Sequence, residues 1–289
     1  YKQVMEFAME SFFAIEPTKS YREYFNVHMV YAVSRDAYIG AFDSGGQTAL
    51  GVQTENSRQW FYIYTAQQRL ESYYRLPVLA YERPVHSVGI VINGVKGGVT
   101  YMREPISGPN FAFTGYVYGG RKMSMGTFIH ETAGHAFGLL GDEYSTSGFD
   151  PGQPFEITDY EATRLRNEQK KGWYLNLSLT SDPKSVYWAH LIGHPRYPYV
   201  GVLQGGYYYA FGVWRSESYS LMDESADFYF NTICRELIVR RIMALTGEEY
   251  TFDKFLAKDS DKDRPNLSKS RSQQTKDQER RHQPPIIGE

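Results

Sequence analysis

Residues 127–144 read TFIHETAGHAFGLLGDEY, and in this stretch His130 and His135 bracket Glu131. Helices that hold zinc for hydrolysis usually read His-Glu-x-x-His, because residues four apart share a helix face and both imidazoles reach one ion. Here the second histidine stands five positions after the first. At about 100° per residue, a spacing of four leaves two side chains about 40° apart, whereas five leaves them about 140° apart. A regular helix therefore cannot bring both rings to zinc–nitrogen distances of about 2.0–2.1 Å. A π-type bulge absorbs one residue and restores the shared face. Gly134, just before His135, is where a helix deforms most easily. The spacing predicts such a bulge at 132–135. The competing reading is a buried helix whose histidines make ordinary hydrogen bonds.

Catalytic zinc usually takes three protein ligands and keeps one position for water. The chain turns at Gly141, so Asp142 can fold back toward the two histidines, with Glu143 as its neighbouring rival. A glutamate on a second helix is the other solution, and Glu161 and Glu168 stand on the polar helix expected over 156–171. Glu131, beside His130, has the chemistry of a general base toward a metal-activated water.

Around this stretch the pattern alternates between helix and strand. Apolar residues at helical intervals mark 1–15, and Pro17 follows as a boundary. A strand-like run covers 26–32, and a helix over 65–76 is expected to close before Pro77. The β-branched run 85–95 is the best strand, and after a glycine turn at 96–98 the chain can continue as an edge strand over 99–102. The long helix should span 122–140, with a turn-rich region over 141–154. Residues 195–219, dense in Pro, Gly and Tyr, should be irregular, and an amphipathic helix over 224–246 should end at Gly247. From 257 to 289 the chain is polar and reads as a loosely held tail after a single domain over 1–256. Its Asp259, Asp261 and Asp263 imitate an EF-hand start, but Arg264 and Ser270 stand where Gly and Glu belong, so a solvated charge run is expected.

Composition narrows the function. With 31 basic and 33 acidic residues the net charge is -2, which argues against a partner made of phosphate backbone. One cysteine, Cys234, excludes an internal disulfide framework and reads as helix packing. No apolar run is long enough to span a membrane. His190 and His194 are four apart, but Leu191 stands where a base would be, so they read as ordinary histidines, as do His28 and His86 on apolar strands. Tyrosine is in excess at 25 residues, six of them within 197–219. Such side chains suit a core with polar handles or a peptide-receiving surface.

HETAGHAFGLLGDEY, with FNVHMVYAVS and VGIVINGVKGGV upstream, resembles the bacterial IgA-peptidase family of zinc metallopeptidases, a metzincin-like group, over about residues 8–250. GVWRSESYSLMDES is similar to the turn that places a methionine under the zinc in metzincins, which maps onto Met222. The resemblance implies an α+β fold with a twisted mixed sheet, one zinc ion held by His130, His135 and Asp142, and Glu131 as base. It also implies a peptide or protein substrate, a host glycoprotein among the candidates, and a secreted or cell-surface location. One departure is plain: many relatives read HExxH and this chain HExxGH, a form shared with the dipeptidyl-peptidase III family, whose third ligand is a remote glutamate. On this reading Val99 and Thr100 would bind substrate by strand addition, Tyr207, Tyr208 and Tyr219 would bind it from the tyrosine-rich run, and Tyr209 would line the cleft beside them. Tyr144 and Tyr219 are candidate hydrogen-bond donors to the oxyanion, with structural roles favoured. The rival functions are an inactive glycan- or protein-binding module and an exopeptidase resembling dipeptidyl-peptidase III.

Overall fold

The computed structural model describes residues 2–36, 40–41, 47–54, 61–62, 67–93, 97–103, 108–116, 125–145, 154–224, 227–265 and 286–287. The end of the expected strand at 94–95, the first residue of the expected turn at 96–98, the helix start at 122–124, residues 146–153 of the turn-rich region and the polar stretch 266–285 lie outside these. In chain order the elements begin with α1 (Lys2–Phe12), β1 (Gly40–Ala41), β2 (Gln53–Thr54), β3 (Phe61–Tyr62), α2 (Gln67–Tyr81), β4 (Ser87–Asn93), β5 (Gly98–Met102) and β6 (Asn110–Tyr116). Helix α3 follows, made of an α-helical turn Met125–Ile129 and a π-helical part His130–Phe137. Then come α4 (Asp159–Lys170), β7 (Leu203–Gly206), β8 (Tyr209–Arg215), α5 (Thr232–Thr246), α6 (Phe252–Lys258) and β9 (Ile286–Ile287). Helices and mixed sheet together make this an α+β protein. Two compact units form, one of Tyr1–Phe12, Asn26–Thr132 and Arg271–Glu289, the other of Phe13–Phe25 and Ala133–Ser270.

The first unit is built on a sheet of order β4-β6-β5-β9, with β4 parallel to β6, β6 antiparallel to β5 and β5 parallel to β9. Successive side chains on a strand point to opposite faces. Accordingly Ile90 and Ile92 join Val99, Phe111, Phe113 and Leu70 in one core, while Val91 packs with Ala8 and Phe128. Gly89, on the latter face, lets α3 lie close: a Cβ there would come 3.1 Å from Thr132 Cγ2.

Several expectations give way here. Residues 26–32 form no strand, and Val27 and Tyr31 are more than half exposed. His28 is likewise exposed, its ring lying 4.6 Å from that of Tyr81, rather than in a core. Pro77 sits inside α2 and does not end it, because a proline costs one helical hydrogen bond and buried packing of its ring offsets part of that. Strand β5 is not a free edge: β6 borders it on one side and β9 pairs with Tyr101 and Met102 on the other.

In the second unit the run 195–219 is not irregular throughout but carries the antiparallel hairpin β7–β8. Gly205, Gly206 and Gly212 take positive φ there, which glycine accepts without steric cost. Helix α5 starts eight residues later than its apolar pattern suggests, at the Asn231 cap, whose side chain accepts from the Cys234 amide, and it ends at Gly247. The charge run after 257 is not solvated as expected. Arg235 and Asp259 form a two-pronged ion pair at 2.7 and 2.9 Å with side chains almost wholly buried. Tyr199 donates to Asp261, and Arg264 pairs with Glu217 at 3.3 Å. Over 257–264, then, the chain is docked.

Candidate metal centre

The residue inserted into the histidine spacing is absorbed by the π-helical part of α3, which spans the whole of His130–Phe137 rather than a single bulge at 132–135. Its wide turn continues into the exit, where the Gly138 amide donates to the Ala133 carbonyl five residues back at 2.9 Å. Gly134 also has a packing reason. A Cβ at this position would come 2.5 Å from the sulfur of Met222, which is fully buried. Leu139, at φ 58°, then turns the chain out of the helix. The Asn176 side chain clasps the turn, accepting from the Gly141 amide at 2.8 Å and donating to the Gly141 carbonyl at 2.9 Å.

This exit brings Asp142 back to the histidines. His130, His135 and Asp142 are all buried, and each offers one ligand atom within 4.8 Å of the others. His135 Nδ1 lies 2.7 Å from the Leu140 carbonyl, so that nitrogen carries the proton and donates it. In the neutral ring Nε2 is the lone-pair atom, and it faces Asp142 Oδ1 at 3.2 Å. Two acceptors at that separation are reconciled by a shared proton or by a cation. An imidazole held by a carbonyl through its other nitrogen is the usual arrangement of a metal-ligating histidine. By its donor atoms and burial, the group fits a divalent metal ion.

Glu131 is fully buried on the same helix. The Thr100 hydroxyl lies 2.7 Å from Glu131 Oε2 and 3.0 Å from the Glu131 carbonyl. Gly98 makes room for the carboxylate chain, since a Cβ there would fall 2.5 Å from Glu131 Cγ. The side chains of Thr100 and Val99 are both completely buried.

Glu143 faces elsewhere. Its carboxylate accepts from Asn176 Nδ2 at 2.9 Å and from Asn231 Nδ2 at 2.7 and 2.9 Å. Its amide donates to the Met222 carbonyl at 2.8 Å. Complete burial pushes its carboxyl up to about 7, with the two asparagine amides pulling the other way. Among the described residues it is Asp142, and not Glu143, Glu161 or Glu168, that groups with the histidines. Glu161 pairs with Arg164 and Glu168 with Lys171 on α4.

The profile of the IgA peptidase M64 family matches residues 2–199. The chain belongs to this family. It is therefore a peptidase, a hydrolase acting on peptides or proteins. Comparison with curated proteins returned no match. The M64 match covers His130, Glu131, His135 and Asp142 and stops short of Met222.

Other residues singled out in the sequence separate into two groups. Tyr208 donates its hydroxyl to Asp142 Oδ2. Burial first, and then the adjacent Asp142, push that phenol well up, so it keeps its proton. Tyr207 is buried, its ring 6.1 Å from that of Tyr174, and Tyr209 is buried as well, while Tyr219 is half-buried. The rings of Tyr207 and Tyr209 are thus largely interior. His190 bonds Glu236 at 2.8 Å and the ring of His194 lies against Tyr197, as ordinary histidines do. Cys234 is buried with its thiol 3.4 Å from Glu143. Asn176 and Asn231 were missed as supports of the turn, for nothing local in the sequence links them to Gly141 or Glu143.

Proposed function

We propose that this M64 peptidase is a zinc-dependent endopeptidase of metzincin-like design, with His130, His135 and Asp142 as zinc ligands and Glu131 as general base. The observation that carries the reading is the buried His130–His135–Asp142 group, reached only because α3 widens into a π-helix. Zinc held there would act as a Lewis acid that makes water acidic near neutral pH and polarises the scissile carbonyl.

The chain's own residues supply the rest. Glu131 takes the proton from the attacking water and passes it to the leaving amine. Thr100 keeps one carboxylate oxygen, Oε2, oriented while the other handles the proton. The Leu140 carbonyl fixes His135 in the tautomer that presents Nε2. Met222, against Gly134, would take the floor role that the metzincin resemblance gives it. Among the described residues no helix is long and apolar enough to cross a membrane. A secreted or cell-surface place in a bacterium follows from the family resemblance alone.

The test is metal analysis joined to a cleavage assay on an internally quenched peptide library with blocked termini. Near-stoichiometric zinc, with cleavage lost on chelation and restored by added zinc, is the expected result. Cleavage that persists without metal would refute the zinc assignment. Zinc without any cleavage would favour a binding module, and cleavage confined to peptides with free termini would favour an exopeptidase.

A further inference from the structure

A carboxylate that binds a metal through one oxygen needs something to hold the other, and in this protein the support comes from the hairpin of the second unit. We propose that the β7–β8 tip is a positioning element for the metal centre, in which the Tyr208 hydroxyl holds Asp142 Oδ2 so that Oδ1 is presented beside His135 Nε2. The proposal rests on the metal-centre reading above and extends it to a residue 66 positions away in the chain.

Three contacts come from the same two-residue tip. The Tyr207 amide donates to the Asp142 carbonyl at 2.9 Å, and the Tyr208 amide donates to the Tyr144 carbonyl at 3.0 Å. Ser145 and Tyr208 then continue as a parallel bridge. The Tyr208 hydroxyl adds the bond to Asp142 Oδ2, while Oδ1 of the same carboxylate stands 3.2 Å from His135 Nε2. Asp142 is thus gripped through main chain and side chain by adjacent residues.

The tip is also made of the wrong residues for a turn. Gly206 pairs with Tyr209, which leaves Tyr207 and Tyr208 as the loop, at φ 50° and 72°. Positive φ at both central positions defines the hairpin turn that strongly prefers Asn-Gly or Gly-Gly. Two tyrosines in that conformation are strained, and strained backbone concentrates where a site requires it. Tyr207 is accounted for by its buried ring, and Tyr208 by its hydroxyl on Asp142.

Tyr208→Phe removes only that hydroxyl, leaving the amide bonds and the ring contact with Tyr144 at 5.1 Å. The readout is the zinc dissociation constant of the full chain, by competition with a chromophoric chelator, beside the melting midpoint of the metal-free protein. The expected result is zinc affinity lower by about 10–100-fold, the cost typical of losing a partner behind a metal ligand. In an Asp142→Ala background the same change should add nothing, because the carboxylate it holds is gone. Unchanged affinity in Tyr208→Phe, with a large loss in Asp142→Ala, overturns the proposal and leaves the metal centre standing. An equal loss in both backgrounds overturns it too, by showing a general structural role. No loss in either Asp142→Ala or Tyr208→Phe refutes the metal-centre reading itself.

Discussion

The sulfur of Met222 occupies the space that a side chain at Gly134 would need, 2.5 Å from where its Cβ would stand. The glycine of the lengthened motif is therefore set by packing as much as by helix flexibility. The residue that widens the helix is also the one that admits the methionine.

Gly134→Ala should then push a fully buried sulfur into a filled core. Overpacking of this kind costs about 1–3 kcal/mol. Chemical denaturation should show that loss when Gly134→Ala is made in the wild type, and a clearly smaller increment when the same change is made in a Met222→Ala background. Equal losses would mean that the two residues do not compete for the same space.

Gly98→Ala probes the general base without touching a ligand. The new Cβ would meet Glu131 Cγ at 2.5 Å, so the carboxylate has to move. Peptide cleavage should fall by about 100-fold or more, since a misplacement of about 1 Å is enough for that. Zinc content should stay near the wild-type value. Parallel loss of zinc would show that the shift spreads to His130.

How much of this was legible in the sequence depends on distance along the chain. In the stretch 127–144 the helix, its need for a bulge and the Asp142 turn are local, and the spacing of the two histidines with the glycine at 141 was enough to expose them. Strand β6 was overlooked although Ser107-Gly108-Pro109 marks a turn just before NFAFTGY, because its glycine, alanine and asparagine give a weaker strand signal than the β-branched run of β4. The hairpin β7–β8 was hidden by glycines and tyrosines that ordinarily mark loops; its pairing register and its grip on Asp142 join residues far apart. The exposure of 26–32 was equally unreadable, for alternation marks a strand only where a partner exists to pair with it.

The segment after 257 offers a stability test. Asp259 holds the guanidinium of Arg235, whose side chain is wholly buried. Asp259→Ala would strand that charge, and breaking a buried pair costs about 3–5 kcal/mol. A large drop in the denaturation midpoint is expected, whereas a loosely held tail would tolerate the change within about 0.5 kcal/mol.

Asp227 should make stability depend on pH. Its carboxyl is pushed up to about 7, by burial first and then by the neighbouring Asp223 and Glu224. An unfolded aspartate titrates at about 3.9, so between roughly pH 4 and 7 the folded state holds the extra proton. Stability from this group is full at the acid end of that window and is lost as pH rises through about 7. Asp227→Asn should accordingly raise the melting midpoint at pH 8 by about 2–4 °C and change it little at pH 4. The opposite trend would mean that Asp227 gains, rather than loses, from being charged.

The most direct test of the whole account is Glu131→Gln, assayed at once for bound zinc and for cleavage of a quenched peptide with blocked ends. Glutamine keeps the shape and an acceptor for the Thr100 hydroxyl but cannot take a proton from water. The account predicts zinc at the wild-type level with cleavage reduced by at least about 100-fold. Cleavage at the wild-type rate in a zinc-replete Glu131→Gln protein would contradict it.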